Sequence, residues 1–244
     1  MRLCSVKPIT LAWETPKKKP IVCICIPHTS TVTLEWAEKV YLPLKSQDPR
    51  FDKTYQMSRG IPVDLAREQM VEAALKTDAT HIFFQDSDEI YETPPNPNDA
   101  IAMLLNLNQS IISGVYRAKQ AAVPGVQGDA AAQMGFAHAL WTQAPGSPPG
   151  KGYVHITPPP PPTNLFTVDV TGLGCTLIKR EVFEKVTRPW FPWELGGPSE
   201  DFAFYHKAKL TDPSFLCWIF SAVTLSHIGE LKVKVDGSFS TLEM

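Results

Sequence analysis

The decisive stretch is Thr80-His81-Ile82-Phe83-Phe84-Gln85-Asp86-Ser87-Asp88-Glu89. Ile82, Phe83 and Phe84 form a short apolar run of β-branched and aromatic residues, which reads as a buried strand. The run stops at Asp86-Ser87-Asp88. A bare charge in the core costs several kcal/mol or more, so the strand must end there and the acids emerge at its carboxyl edge. In an open α/β sheet that edge is where ligands bind. Two carboxylates in an Asp-x-Asp pattern offer hard oxygen donors to Mg²⁺ or Mn²⁺, ions that clamp a diphosphate. The same three residues also read as a polar turn capping a following helix.

Working outward, the segments on either side alternate between strand and helix patterns. Pro20 to Ile26 is a nearly continuous apolar run, as in a strand covered on both faces, and it ends at Pro27-His28-Thr29-Ser30. Leu34 to Leu42 has mixed helical spacing, and Phe51 to Met57 reads as a second strand. From Pro62 to Lys76, Val63, Ala66, Met70, Ala73, Ala74 and Leu75 fall on one helical stripe. Beyond the acidic motif, Asn98 or Asp99 is expected to cap a helix, and Ile111 to Tyr116 to form a strand. Strands separated by helices imply right-handed crossovers and a mostly parallel sheet.

Residues 118–164 differ in character, being rich in Pro, Gly and Ala and ending in the five prolines Pro158 to Pro162. Such a run favours polyproline II and reads as a stiff surface connection. Within this insert, Gly135 to Trp141 and Tyr153 to Ile156 suit short strands of a β-flap. Order returns at Leu165 to Val170, then Cys175 to Ile178 as strand and Arg180 to Val186 as helix. Gly172 and Gly174 allow the backbone to approach a neighbour closely. Trp190, Phe191 and Trp193 gather aromatic surface suited to stacking on a sugar. Ser199 is a fair N-cap for a helix that opens with Glu200-Asp201. Acids are favoured in a first helical turn, and a carboxylate beside an acceptor is the functional reading of the same pair.

The chain of 244 residues has a net charge of -2 and no clustered basic stripe, which argues against a nucleic-acid surface. No run of about 20 apolar residues is present to span a membrane, and no signal peptide is evident. The five cysteines include no C-x-x-C pair, and Cys23 and Cys25 suit one face of a strand as small core residues. A reducing, cytoplasmic setting follows as an expectation. The chain reads as one domain, with 1–19 as an N-terminal extension and 230–244 as a tail.

The acidic motif, Thr171 to Phe183, Ser199-Glu200-Asp201-Phe202 and His227-Ile228-Gly229 occur in an order that resembles family-2-like glycosyltransferases of the GT-A fold. The resemblance runs from Ile21 to about Gly229. It implies a Rossmann-like, mostly parallel sheet flanked by helices, with a small antiparallel flap, and transfer of a sugar from a nucleotide-diphosphate donor to an acceptor hydroxyl. Mn²⁺ or Mg²⁺ would be the cofactor, and the acceptor a glycan, lipid or small molecule. By position, Asp88 would be the main metal ligand, Asp86 would serve the ribose or the metal, and His227 would be a further ligand. Pro27, His28 and Thr29 would border the nucleobase, with Ser87 in the donor motif and Arg67 as a phosphate or base contact. Gly172 and Gly174 would border the acceptor beside Trp190 and Trp193. Asp201 would be the general base, with Glu200 its neighbour. Ala66-Arg67-Glu68 departs from the Ala-Arg-Asn usual at this helix. Two other classes compete. A haloacid-dehalogenase-like phosphatase also places Asp-x-Asp after an apolar strand, but usually early in the chain. A non-catalytic sugar- or proline-motif-binding module would leave acids at a strand edge unexplained.

Overall fold

The computed structural model describes residues 18–28, 31–116, 139–148, 150–156, 165–193, 199–228, 231–233 and 239–241. The first strand, β1 (Ile21–His28), carries the apolar run, with Val22 to Ile26 wholly buried. Its side chains alternate between two cores. Val22, Ile24 and Ile26 join one cluster, and Cys23 and Cys25 join the other. On its flanks, β2 (Asp52–Arg59) and β3 (His81–Gln85) both run parallel to it.

Between β1 and β2 lies a helical stretch of α1 (Leu34–Trp36), a π-helical turn (Ala37–Tyr41) and α2 (Leu42–Lys45). Thr33 caps it by accepting from the Trp36 N–H at 3.1 Å. The wide turn has a chemical cause. Pro43 has no N–H to donate, and the Leu42 N–H reaches back to the Ala37 carbonyl. Helix α3 (Val63–Leu75) follows β2 and buries Ala66, Met70, Val71 and Ala74, together with the charged Arg67.

After β3 the chain turns through Asp86–Asp88 into a strand that the sequence did not suggest, β4 (Glu89–Thr93). Helix α4 (Pro97–Asn106) is capped by Asn96, whose side chain accepts from the Asn98 N–H. The expected caps, Asn98 and Asp99, instead lie inside the first turn because Pro97 already occupies a position that needs no donor. Next come β5 (Ile111–Val115), β6 (Leu140–Gln143), β7 (Tyr153–His155) and β8 (Leu165–Val168). The run expected to Val170 breaks at Asp169, after which β9 (Val170–Thr171) joins β6 and β7 in a small antiparallel sheet. The remaining elements are β10 (Cys175–Lys179), α5 (Arg180–Lys185), α6 (Glu200–Thr211), β11 (Cys217–His227), β12 (Leu231–Val233) and β13 (Phe239–Thr241). Ser199 makes no side-chain cap at α6, contrary to expectation.

The large sheet has the path β13-β12-β11-β5-β10-β3-β1-β2, with β4 and β8 also paired to β11. Strand β10 is antiparallel to both of its neighbours, β3 and β5, while β5 is parallel to β11. Hence β2, β1, β3, β5 and β11 all point the same way. Their carboxyl ends, at Arg59, His28, Gln85, Val115 and His227, share one edge of the sheet. Helices α3, α5 and α6 supply one core, and α1 with α4 the other.

Candidate functional site

Three groups of side chains meet along that shared edge. The first is the acidic turn. Gln85 is fully buried at the end of β3, and Asp86, Ser87 and Asp88 follow it, each half-buried. The turn is held by its backbone: the Asp86 N–H donates to the Gly174 carbonyl at 2.9 Å, and the Ile228 N–H donates to the Asp88 carbonyl at 2.6 Å. The Asp86 carbonyl in turn accepts from the Trp36 indole at 3.3 Å and the Gln85 amide at 2.9 Å.

The second group is a junction around Arg67, whose side chain is only 3% exposed. One guanidinium nitrogen, Nη1, donates to Glu200 and, at 2.7 Å, to Asp201; Nη2 donates to the two oxygens of Asp86 at 3.1 and 3.2 Å. Burial works against the charge of Arg67, but Asp201, Asp86 and Glu200 outweigh it and hold its pKa above the ordinary value. One cation facing three acids leaves an excess of negative charge. Asp201 is accordingly raised well above the usual carboxylate range, first by burial and then, against Arg67, by Glu200 and Asp86. The sequence reading of Arg67 as a phosphate or base contact is corrected here. Its fork is turned inward onto the acids.

Behind the turn sits Glu89, fully buried, with neither carboxylate oxygen hydrogen-bonded among the described residues. Its Oε1 lies 3.3 Å from Nε2 of His227, the residue opposite it in the β4–β11 ladder. Burial above all pushes the Glu89 carboxyl up to about 7, with Asp86 and Asp88 adding to the effect and His227 opposing it. Gly172 and Gly174 make the close approaches expected of them, but toward this buried group. A Cβ on Gly172 would collide with the Tyr116 hydroxyl, and one on Gly174 with the Glu89 carboxylate. The Gly174 N–H also donates to the Tyr116 hydroxyl at 3.1 Å.

The third group is a slot of about 170 Å³ at the ends of β1 and β2, lined by apolar groups of Ile26, Trp36, Tyr41 and Met57 and by His28 and Arg59. The rings of Trp36 and Tyr41 stack at 6.1 Å with an interplanar angle of 24°. Of the residues expected to border a nucleobase, His28 lines the slot, Pro27 is buried in the ladder opposite Ser58, and Thr29 lies outside the described residues.

Trp190 is corrected as an acceptor wall. It is 4% exposed, and its indole N–H donates to the carbonyls of Phe183 and Val186, so its ring belongs to the core. Trp193, by contrast, is exposed. Glu200 and Asp201 open α6 as expected and join Asp86 through Arg67. Asp86, Asp88 and His227 do not form a ready-made metal site: among the described residues no three His, Cys, Asp or Glu side chains are so gathered. Their chemistry nevertheless suits a hard divalent ion, because carboxylate oxygens dominate and negative charge exceeds positive. Glu89, Tyr116, Trp36 and Arg59 were not singled out from the sequence. Only Glu89, which continues the acidic run, carried a visible signal.

No protein-family model and no curated protein matches the sequence. Among solved structures, the chain is similar to the crystal structure of A197 from STIV. The TM-score is 0.60 at 19% identity, covering 92% of this chain and 95% of that one. At this identity the likeness concerns the fold. The mixed α/β architecture, with its flanked large sheet and small antiparallel sheet, is compatible with a GT-A-like fold.

Proposed function

We propose that the chain is a glycosyltransferase that moves a sugar from a nucleoside-diphosphate donor to an acceptor hydroxyl. The observation that carries this reading is the Asp86-x-Asp88 turn standing between a ring-sized slot at His28 and an acid pair at Glu200-Asp201. A donor laid along the edge would place its base in the slot, its diphosphate at the turn and its sugar toward Asp201. Trp193, an exposed aromatic surface, would serve the acceptor.

Asp88 and Asp86 would hold a Mn²⁺ or Mg²⁺ ion, which when bound would supply positive charge to the departing diphosphate. His227, already beside Glu89, would join them only by leaving that contact. Asp201 would take the acceptor proton. Arg67 fixes its orientation. Arg67 holds Asp86 as well, so donor and acceptor ends are positioned by one side chain.

The test is calorimetry with nucleoside diphosphates, with and without Mn²⁺, on the native chain and on Asp88→Ala. Native protein is expected to bind only with metal present, and Asp88→Ala to fold normally yet lose that metal-dependent binding. Native-like metal-dependent affinity in Asp88→Ala would exclude the assignment.

A further inference from the structure

Resting on that reading, we infer that the slot selects a single-ring, keto-edged base, uracil, and that Arg59 and His28 read its edge. Three observations converge. The first is size. The slot measures about 170 Å³, close to the 150 Å³ cavity that accommodates one benzene ring, so a single six-membered ring is enough to fill it. The second is shape: Trp36 stacked with Tyr41, and aliphatic groups from Ile26, Ala37 and Met57, offer flat apolar walls to the faces of a ring.

The third observation concerns polarity. His28 and Arg59, the polar side chains of the slot besides the Tyr41 hydroxyl, are direct neighbours at the ends of β1 and β2. Neither is committed elsewhere. Nδ1 of His28 is buried without a hydrogen-bond partner, and the Arg59 guanidinium makes no hydrogen bond or ion pair among the described residues. Guanidinium can only donate, whereas a neutral imidazole has one donor and one acceptor nitrogen. The matching edge places a ring carbonyl next to a ring N–H, as uracil does. Arg59 would donate to the carbonyl, and the ring N–H would donate to His28. Cytosine in the same position would turn an amino donor toward the Arg59 donors and leave its ring nitrogen without a proton to give, a mismatch that costs binding.

Calorimetry with UDP, CDP and GDP in the presence of Mn²⁺ tests the inference. UDP is expected to bind about 10-fold or more tightly than CDP, the scale of discrimination that a matched base edge supplies, and more tightly than GDP. Arg59→Met, at an exposed strand end, should weaken UDP and bring the UDP-to-CDP ratio toward one. Equal affinity for UDP and CDP, tighter binding of GDP, or an unchanged ratio in Arg59→Met would overturn the base assignment while leaving a nucleotide-dependent transferase standing. Failure of all three nucleotides to bind would remove both readings together.

Discussion

At the scale of single residues, the most consequential charge is the one hidden behind the acidic turn. Glu89 titrates near 7 in the folded chain because burial penalises its carboxylate, against an ordinary value near 4.5. Between these two values the folded state holds a proton that the unfolded state has released. Its stabilising contribution is therefore complete below about pH 4.5 and is lost as pH rises to 7. The swing is on the order of 3 kcal/mol, at about 1.4 kcal/mol for each pH unit between the two values. Glu89→Gln keeps the shape and cannot ionise. Its denaturant midpoint should change less between pH 5 and 7.5 than that of the native chain, and it should be the more stable of the two at pH 8. Identical pH slopes would mean that Glu89 does not change charge in this range. None of this was legible in the sequence, where Glu89 is one more acid after Asp88. Arg67 was equally opaque, since its partners lie 19, 133 and 134 residues away along the chain.

At the scale of elements, the strands with continuous apolar runs were readable and those made by distant pairing were not. Strands β1, β3, β5 and β10 were recognisable because their buried residues are contiguous, and α3 because its apolar residues repeat with helical spacing. Strand β4 was missed. Glu-Ile-Tyr-Glu-Thr resembles a polar turn until β11, more than 130 residues later, pairs with it. Trp190 was misassigned for a related reason: an aromatic cluster does not reveal which ring faces inward. The segment from Gly172 to Gly174 joins these elements physically, because it backs both the acidic turn and Glu89. Gly174→Ala should therefore cost about 1–3 kcal/mol by overpacking. It should also weaken Mn²⁺-dependent nucleotide binding, because the Gly174 carbonyl anchors the Asp86 N–H. Thermal unfolding together with nucleotide titration checks both effects. A variant as stable as the native chain would mean that the loop can shift aside at little cost.

At the scale of the whole molecule, the sheet separates two packed layers, and the candidate site draws on both. Trp36 comes from the layer that holds α1 and α4, while Arg67 and Asp201 come from α3 and α6 on the opposite face. Asp86 is grasped from each side, its carbonyl by Trp36 and its carboxylate by Arg67. The hydrogen bond from Trp36 has a practical consequence, because an indole is also a fluorophore. Its ring forms a wall of the slot while its N–H senses the acidic turn, so filling the slot alters the surroundings of one chromophore at two points. Emission of the native chain should change in intensity or colour on titration with UDP and Mn²⁺. Trp36→Phe, which leaves the other five of the six tryptophans in place, should abolish most of that change. An equal optical response in Trp36→Phe would show that the light comes from elsewhere. Otherwise the protein carries its own dye for occupancy, and binding can be followed without any label.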